Sequence, residues 1–151
     1  MTYRQGRFWQ PDVTVATVVV RDGRLLVVEE SVHGALVINQ PAGHLEPDES
    51  LVAAARRETL EETGWVFVPD ALLGIYRWVK PDTGDTFIRA AFRGTLVEQR
   101  HATPPDSDIV AAHWLTRAEL AAQPLRSPLV LRCIDDYRAG VSHPLSVLQD
   151  L

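Results

Sequence analysis

Glu58, Glu61 and Glu62 place three carboxylates within five residues, directly after an alanine-rich run of good helix formers. At about 100° per residue they fall within one arc of roughly 100° on a helix. Glu58 and Glu62 are a like-charged i,i+4 pair, which weakens an isolated helix by a few tenths of a kcal/mol. Arg57 stands four residues before Glu61 and offsets part of that repulsion. A bound cation would relieve the rest, and carboxylate oxygens suit the hard ions Mg²⁺ and Mn²⁺. A solvated acidic face is the plain alternative. Val52, Ala53, Thr59 and Leu60 fall on the opposite side of the helix and are expected to face a core.

The flanking residues decide between these readings. Gly43 precedes Glu58 by fifteen residues, Glu49 lies between them, Arg57 adjoins Glu58, and Gly64-Trp65 follows. The spacing G-x5-E-x7-R-E-U-x-E-E-x-G-U, with U apolar, resembles the signature of the Nudix hydrolase family. That resemblance implies cleavage of a nucleoside diphosphate linked to another moiety, or of related pyrophosphates, with Mg²⁺ and with Mn²⁺ as a substitute. A pyrophosphate repels a water nucleophile, and a divalent ion neutralises its oxygens and lowers the pKa of bound water. The resemblance implies Glu58, Glu61 and Glu62 as metal ligands together with the Gly43 carbonyl. Glu49 and Arg57 become orienting groups, the guanidinium fork holding a carboxylate. The general base stays open between a glutamate of the helix and a loop acid. Asp108, six residues before Trp114, is the first loop candidate, Asp106 the next, and Glu98 lies in the same loop. Thr59 stands where the family usually carries an aliphatic residue. Threonine is nearly isosteric with valine, so the expected effect is a small packing cost with no chemical loss.

The resemblance runs through DVTVATVV, LLVVEE, NQPAGHLEPDESLVAAA, PDSDIVAAHW and LRSPLV, over residues 12–130. These stretches look like a phosphatase branch of the family. That branch implies orthophosphate release from nucleoside tri- and diphosphates, and action on thiamine-pathway pyrimidine pyrophosphates. Ile38 stands where the branch tends to carry Trp, which bears on ring stacking. Asn39 and Gln40 border the motif loop and are candidates to hydrogen-bond a base or ring. Arg89 and Arg93 lie four apart on one strand, hence on one face, and are candidates to grip phosphate. Trp78 and Tyr76 are candidates to line the cleft. Competing substrates are ADP-ribose, dinucleoside polyphosphates and oxidised nucleotides. A non-catalytic nucleotide-sensing module is a second class, and retention of every motif acid argues against it.

The elements that must position these residues follow from pattern. The 151 residues suit one domain, 1–151. Val13–Val20 is a β-branched run, and Asp22-Gly23 predicts a hairpin pairing it antiparallel with Leu25–Glu30. Glu29 and Glu30 read as a solvated strand end. Ala35–Ile38 is a short apolar piece, and Gln40–Gly43 a turn. Ser50 caps a helix over Leu51–Thr63, with Gly64 at its C′ position. Leu72–Val79, Thr86–Val97 and Ile109–Leu115 read as strands. Thr116–Glu119 is a capping box, and Ser127-Pro128 opens a helix running to Arg138 and stopped by Gly140. Thr2–Pro11, with Phe8 and Trp9, is expected to pack on a sheet edge or stay loose. This order predicts an α/β protein with helices on both faces of a mixed sheet. The resemblance makes that the Nudix αβα sandwich with a loop-helix-loop catalytic motif.

The net charge of −5 argues against a nucleic-acid partner. Cys133 is the only cysteine, so there is no intrachain disulfide or cysteine-rich zinc site, and its apolar surroundings read as core. The polar start and the lack of a long apolar run predict a cytoplasmic protein with no membrane partner. The expected partner is a small-molecule pyrophosphate bound by a monomer or homodimer.

Overall fold

The β-branched run at the start of the chain divides between two sheets. In the computed structural model, which describes residues 8–151, β1 spans Asp12–Val18 and β2 spans Val20–Arg21. The expected hairpin turn is present: Asp22 and Gly23 have φ of 50° and 73°, as a type I′ turn demands. It pairs only β2 with the start of β3 (Arg24–Val32). The antiparallel pairing expected for residues 13–18 does not form. β1 instead lies parallel to β7 (Thr86–Gln99) and antiparallel to β5 (Ala42–His44). The physical reason is the composition of β1. Its last five residues are buried in succession, as in a strand covered on both faces.

The mixed sheet has the order β5-β1-β7-β6, with β6 spanning Trp65–Val79. A second, antiparallel sheet centres on β3, which pairs with β2, with β4 (Ala35–Asn39) and with β8 (Ile109–Leu115). β6 begins seven residues earlier than Leu72, where the strand was expected to start. Proline is tolerated on an edge strand, and register shifts at Val66/Phe67, Pro69/Ala71 and Leu72/Gly74 absorb the irregularity. The segment read as a turn before Gly43 is strand β5 over its second half.

Helices cover both faces, as expected. α1 (Leu51–Thr63) packs Ala54 and Ala55 against Val15, Leu26, Phe67 and Phe92. On the other side α2 (Arg117–Ala121) and α3 (Leu129–Arg138) bury Leu120, Val130, Cys133 and Ile134 against Val18, Val27 and Leu73. A short 3₁₀ turn, Leu145–Val147, follows α3. The buried stripe of α1 differs from the one expected. It runs through Ala54, Ala55, Glu58, Thr59, Glu62 and Thr63, whereas Ala53 is exposed and Val52 and Leu60 are half-buried. Two of the acids thus share the core-facing side.

Thr59 is also more than a valine substitute. Its hydroxyl donates to the Ala55 carbonyl at 2.8 Å and lies 3.0 Å from the Thr17 hydroxyl, linking α1 to β1 in the interior. α2 carries the expected capping box between Thr116 and Glu119. At α3, Ser127 Oγ accepts from the Leu129 N–H, and the helix begins one residue later than expected. Burial pushes the Cys133 thiol up to about 11, consistent with a core position. Of the N-terminal segment, residues 1–7 lie outside the described residues, and Phe8 and Trp9 are exposed. No helix among the described residues is long and apolar enough to cross a membrane.

Candidate active site

α1 is delimited as its sequence implied. Ser50 Oγ accepts from the Ala53 N–H at 3.0 Å, and Gly64, at φ 77°, donates its N–H to Leu60 O. This fixes the phase of the helix and so the directions of its acids.

Arg57 is the hub of the motif. Its Nε and Nη2 bind Glu49 bidentately at 3.0 and 2.7 Å, and Nη2 also donates to the His44 carbonyl at 3.0 Å. Nη1 donates to Glu58 at 2.6 Å and to Glu61 at 3.3 Å. Glu49 in turn accepts from the Glu46 N–H at 2.8 Å. One guanidinium therefore ties the motif loop to the helix, the orienting geometry expected of the pair. Arg57's hydrogen bonds hold the Glu49 carboxyl below its usual range.

Glu62 is 4% exposed and accepts from the Ala42 N–H at 3.0 Å. Burial pushes its carboxyl up to about 9, with Glu58, Glu30 and Asp106 adding repulsion. Burial likewise raises Glu58, against the pull of Arg57. A Cβ on Gly43 would collide with the Glu58 carboxylate, so the glycine serves close approach here. Glu61 is half-exposed, with Arg57 as its ion-pair partner.

The donor set is all oxygen, of the kind that hard divalent cations take, and buried carboxylates of raised pKa gain most from such an ion. The side chains as placed do not yet converge. Glu58 and Glu61 turn toward Arg57 and Glu62 toward Ala42, so among the described residues no three acids, imidazoles or thiols stand in a cation-holding arrangement. The residues fit a divalent ion by the chemistry of their donors.

Two loop acids take different positions. Asp106 donates its N–H to the Glu61 carbonyl at 2.9 Å, and its charge acts on Glu30, Glu58 and Glu62. Asp108 is exposed; its N–H donates to the Asp106 carboxylate at 2.9 Å and its carbonyl accepts from the Ser31 N–H at 3.2 Å. Of the two loop acids, Asp106 is the one anchored to α1.

A cavity of about 250 Å³ adjoins Gly43, lined among others by Trp78, Phe87, Arg89, Arg126 and Lys80. Trp78 lines this cavity and stacks on Phe87 with centroids 5.6 Å apart. Arg89 lines the same cavity at 7% exposure. Gln40 is 1% exposed. It accepts from Arg89 Nη1 at 3.2 Å and donates to the Val130 carbonyl at 3.2 Å. It therefore holds Arg89 and does not itself line the cavity. Tyr76 donates to Asp136 on α3 at 2.8 Å, and Arg93 lies over the Tyr137 ring, so neither reaches the cavity. Ile38 is core and does not line the cavity.

Thr14 and Arg126 belong to the cavity without having been singled out in the sequence, and Glu30, expected at a solvated strand end, is mostly buried and lines it too. Glu30 pairs with Arg126 at 3.2 Å, and burial raises its carboxyl. Its one sequence signal was a pair of acids, Glu29 and Glu30, closing an apolar run. A wider open cleft of about 700 Å³, beside Thr116 and Arg117, shares no residue with the motif, and Arg117 there is paired with Asp135.

Residues 10–133 match the model of the NUDIX domain. The chain is 44% identical over 143 residues to Phosphatase NudJ of Escherichia coli, covering 94% of this chain and 93% of that protein. Phosphatase NudJ of Shigella flexneri matches to the same extent. A NUDIX hydrolase from Nitrosomonas europaea superposes with a TM-score of 0.88 at 46% identity, over 94% of this chain and 98% of that one. The NUDIX domain of Shewanella oneidensis NrtR, complexed with ADP ribose, superposes at 0.75 and 20% identity, over 93% and 94% of the two chains, a likeness of fold alone. With the motif, the fold and these relatives in agreement, this chain belongs to the Nudix family and is a hydrolase acting on pyrophosphate bonds.

Proposed function

We propose that the protein is a Mg²⁺-dependent hydrolase of small pyrophosphates. Its proposed substrates are nucleoside tri- and diphosphates and thiamine-pathway pyrimidine pyrophosphates, and its product is orthophosphate. The observation that carries this is the junction of the Arg57-clamped acidic cluster with a cavity that combines stacked aromatics and cations. The 44% identity to a phosphatase supports the orthophosphate product.

Glu58, Glu61, Glu62 and the Gly43 carbonyl would hold the divalent ion. That ion neutralises phosphate oxygens and lowers the pKa of bound water. Arg57 keeps Glu49 and the motif loop in register with the helix. Lys80 and Arg126 supply positive charge to the phosphates, and the Trp78–Phe87 pair flanks the organic group. A proton is taken from the attacking water by Asp106 or by a glutamate of α1. Asp106 is favoured over Asp108 because its backbone is anchored to α1.

The test is a phosphate-release screen over nucleotides, thiamine-pathway pyrophosphates and ADP-ribose, with Mg²⁺, Mn²⁺ or chelator. Turnover lost on chelation and in Glu62→Gln is the expected result. No turnover of any pyrophosphate with either ion would sink the proposal, and wild-type activity in Glu62→Gln would remove that residue from the metal site. Release of pyrophosphate alone would count against the phosphatase reading.

A further inference from the structure

α1 ends against a piece of chain that is remote in sequence. The carbonyls at the end of a helix have no partner within it and must find one outside. Here the segment 100–108, between β7 and β8, supplies it. The Asp106 N–H donates to the Glu61 carbonyl at 2.9 Å, and the Arg100 and His101 N–H groups donate to the Gly64 carbonyl at 2.8 and 3.2 Å. The sheet arranges this meeting. Trp65 opens β6 and is the register partner of Gln99, which closes β7, so Gly64 and Arg100 are the next residues beyond the same end of the ladder.

The approach leaves no space for a side chain. A Cβ on Gly64 would fall on the His101 carbonyl oxygen and stand 3.1 Å from the His101 Cβ. An obstruction made of backbone cannot rotate aside as the end of a side chain can. The glycine that follows α3 differs. Gly140 has φ of 81°, close to the 77° of Gly64, but nothing lies within 4 Å of a Cβ there. Left-handed backbone accounts for a glycine at both positions; at Gly64 the docked segment demands one as well.

What the docking delivers is Asp106. Its carboxylate accepts from the Asp108 N–H at 2.9 Å and its carbonyl from the Ile109 N–H at 3.3 Å. Ser31 on β3 donates its N–H to the Asp108 carbonyl at 3.2 Å. The acid is thus held from both sides, within reach of the charges of Glu58 and Glu62.

We infer that Gly64 is a positioning residue: by lacking a Cβ it lets the segment 100–108 dock on the end of α1, and this docking holds Asp106 against the acidic cluster. The inference rests on the reading in which Asp106, and not a glutamate of α1, takes the proton of the attacking water, and adds what places that acid.

The experiment uses the full chain with Mg²⁺ and the pyrophosphate it turns over fastest. It compares Gly64→Ala, Gly140→Ala, Asp106→Asn and the double variant of Gly64→Ala with Asp106→Asn. The two alanine variants share the left-handed strain. Gly64→Ala should also displace Asp106 by about 1 Å, losing on the order of 100-fold in kcat with KM within about twofold. Gly140→Ala should keep wild-type kcat and KM. On top of Asp106→Asn, Gly64→Ala should cost less than about threefold, because both changes act through one group. Amide hydrogen exchange reads the docking without catalysis. Arg100, His101 and Asp106 should lose protection in Gly64→Ala while the body of α1 keeps its own.

Multiplicative losses in the double variant, wild-type kcat in Gly64→Ala, or segment amides that stay protected there would overturn the inference. Equal kcat losses in Gly64→Ala and Gly140→Ala would also overturn it by assigning the effect to strain, as would protection lost throughout α1 by assigning it to the helix cap. Each of these outcomes leaves the general-base reading intact. Wild-type kcat in Asp106→Asn would instead fault that reading, and the positioning role would fall with it.

Discussion

Gly43→Ala separates catalysis from stability. The backbone at Gly43 is ordinary strand, paired with Val15, and alanine adopts it without strain. The new methyl would fall on Cδ and both carboxylate oxygens of Glu58. That carboxylate ends a flexible side chain, so it would yield by about 1 Å, a misplacement that near reacting atoms is worth on the order of 100-fold in rate. The stability cost is bounded by the Arg57–Glu58 ion pair at 2.6 Å, which is partly exposed and worth about 1 kcal/mol at most. Gly34 is the control. It has φ of 81° with nothing within 4 Å of an added Cβ, so alanine there strains the turn by about 1 kcal/mol and reaches no site residue. The assay pairs kcat/KM on the best pyrophosphate with chemical denaturation of each variant. Gly43→Ala is expected to lose about two orders of magnitude in activity and Gly34→Ala none, although each variant costs only about 1 kcal/mol of stability. Wild-type kcat/KM in Gly43→Ala, or an activity loss that tracks its unfolding, would refute the close-approach account.

Tyr76→Phe removes the hydrogen bond to Asp136 and should cost about 1 kcal/mol in denaturant titration. The Tyr76 hydroxyl holds the Asp136 carboxyl below the usual aspartate range, so the contribution is present above the unfolded-state pKa and lost as pH falls through the folded one. The wild-type advantage should vanish in acid, and a pH-independent difference would count against this pairing. Thr59→Val leaves the buried Thr17 hydroxyl without its partner and should cost about 1–2 kcal/mol. Adding Thr17→Val should recover part of it in a double-mutant cycle, and additive losses would show that the two hydroxyls do not interact.

How far the molecule was legible differs from residue to residue. α1 and its caps, β8 and the Thr116–Glu119 box followed from residues within a few positions of one another. The same local spacing placed Arg57 beside Glu58 and Glu61, whereas Gly43, fifteen residues before Glu58, is brought to the helix by β5. β1 shows where such reasoning stopped. Asp22-Gly23 encodes a turn, but the partner of residues 13–18 is chosen by which strand buries both faces, and that strand is some 75 residues away. The charge state of Glu62 follows the same rule. Its spacing made it a candidate ligand, whereas packing against β5 made it a buried carboxylate whose pKa is pushed up to about 9.

The sequence by itself pointed to the reaction class, because the acids and Arg57 of the signature it resembles are carried by types and intervals along one helix and its loop. The tertiary structure decided which groups meet the organic part of a substrate. Gln40 turned inward to hold Arg89 across 49 residues of chain, and Thr14, Glu30, Asn39 and Arg126 came together from four separate segments. Contacts of that kind depend on sheet register and helix docking, which no short interval encodes.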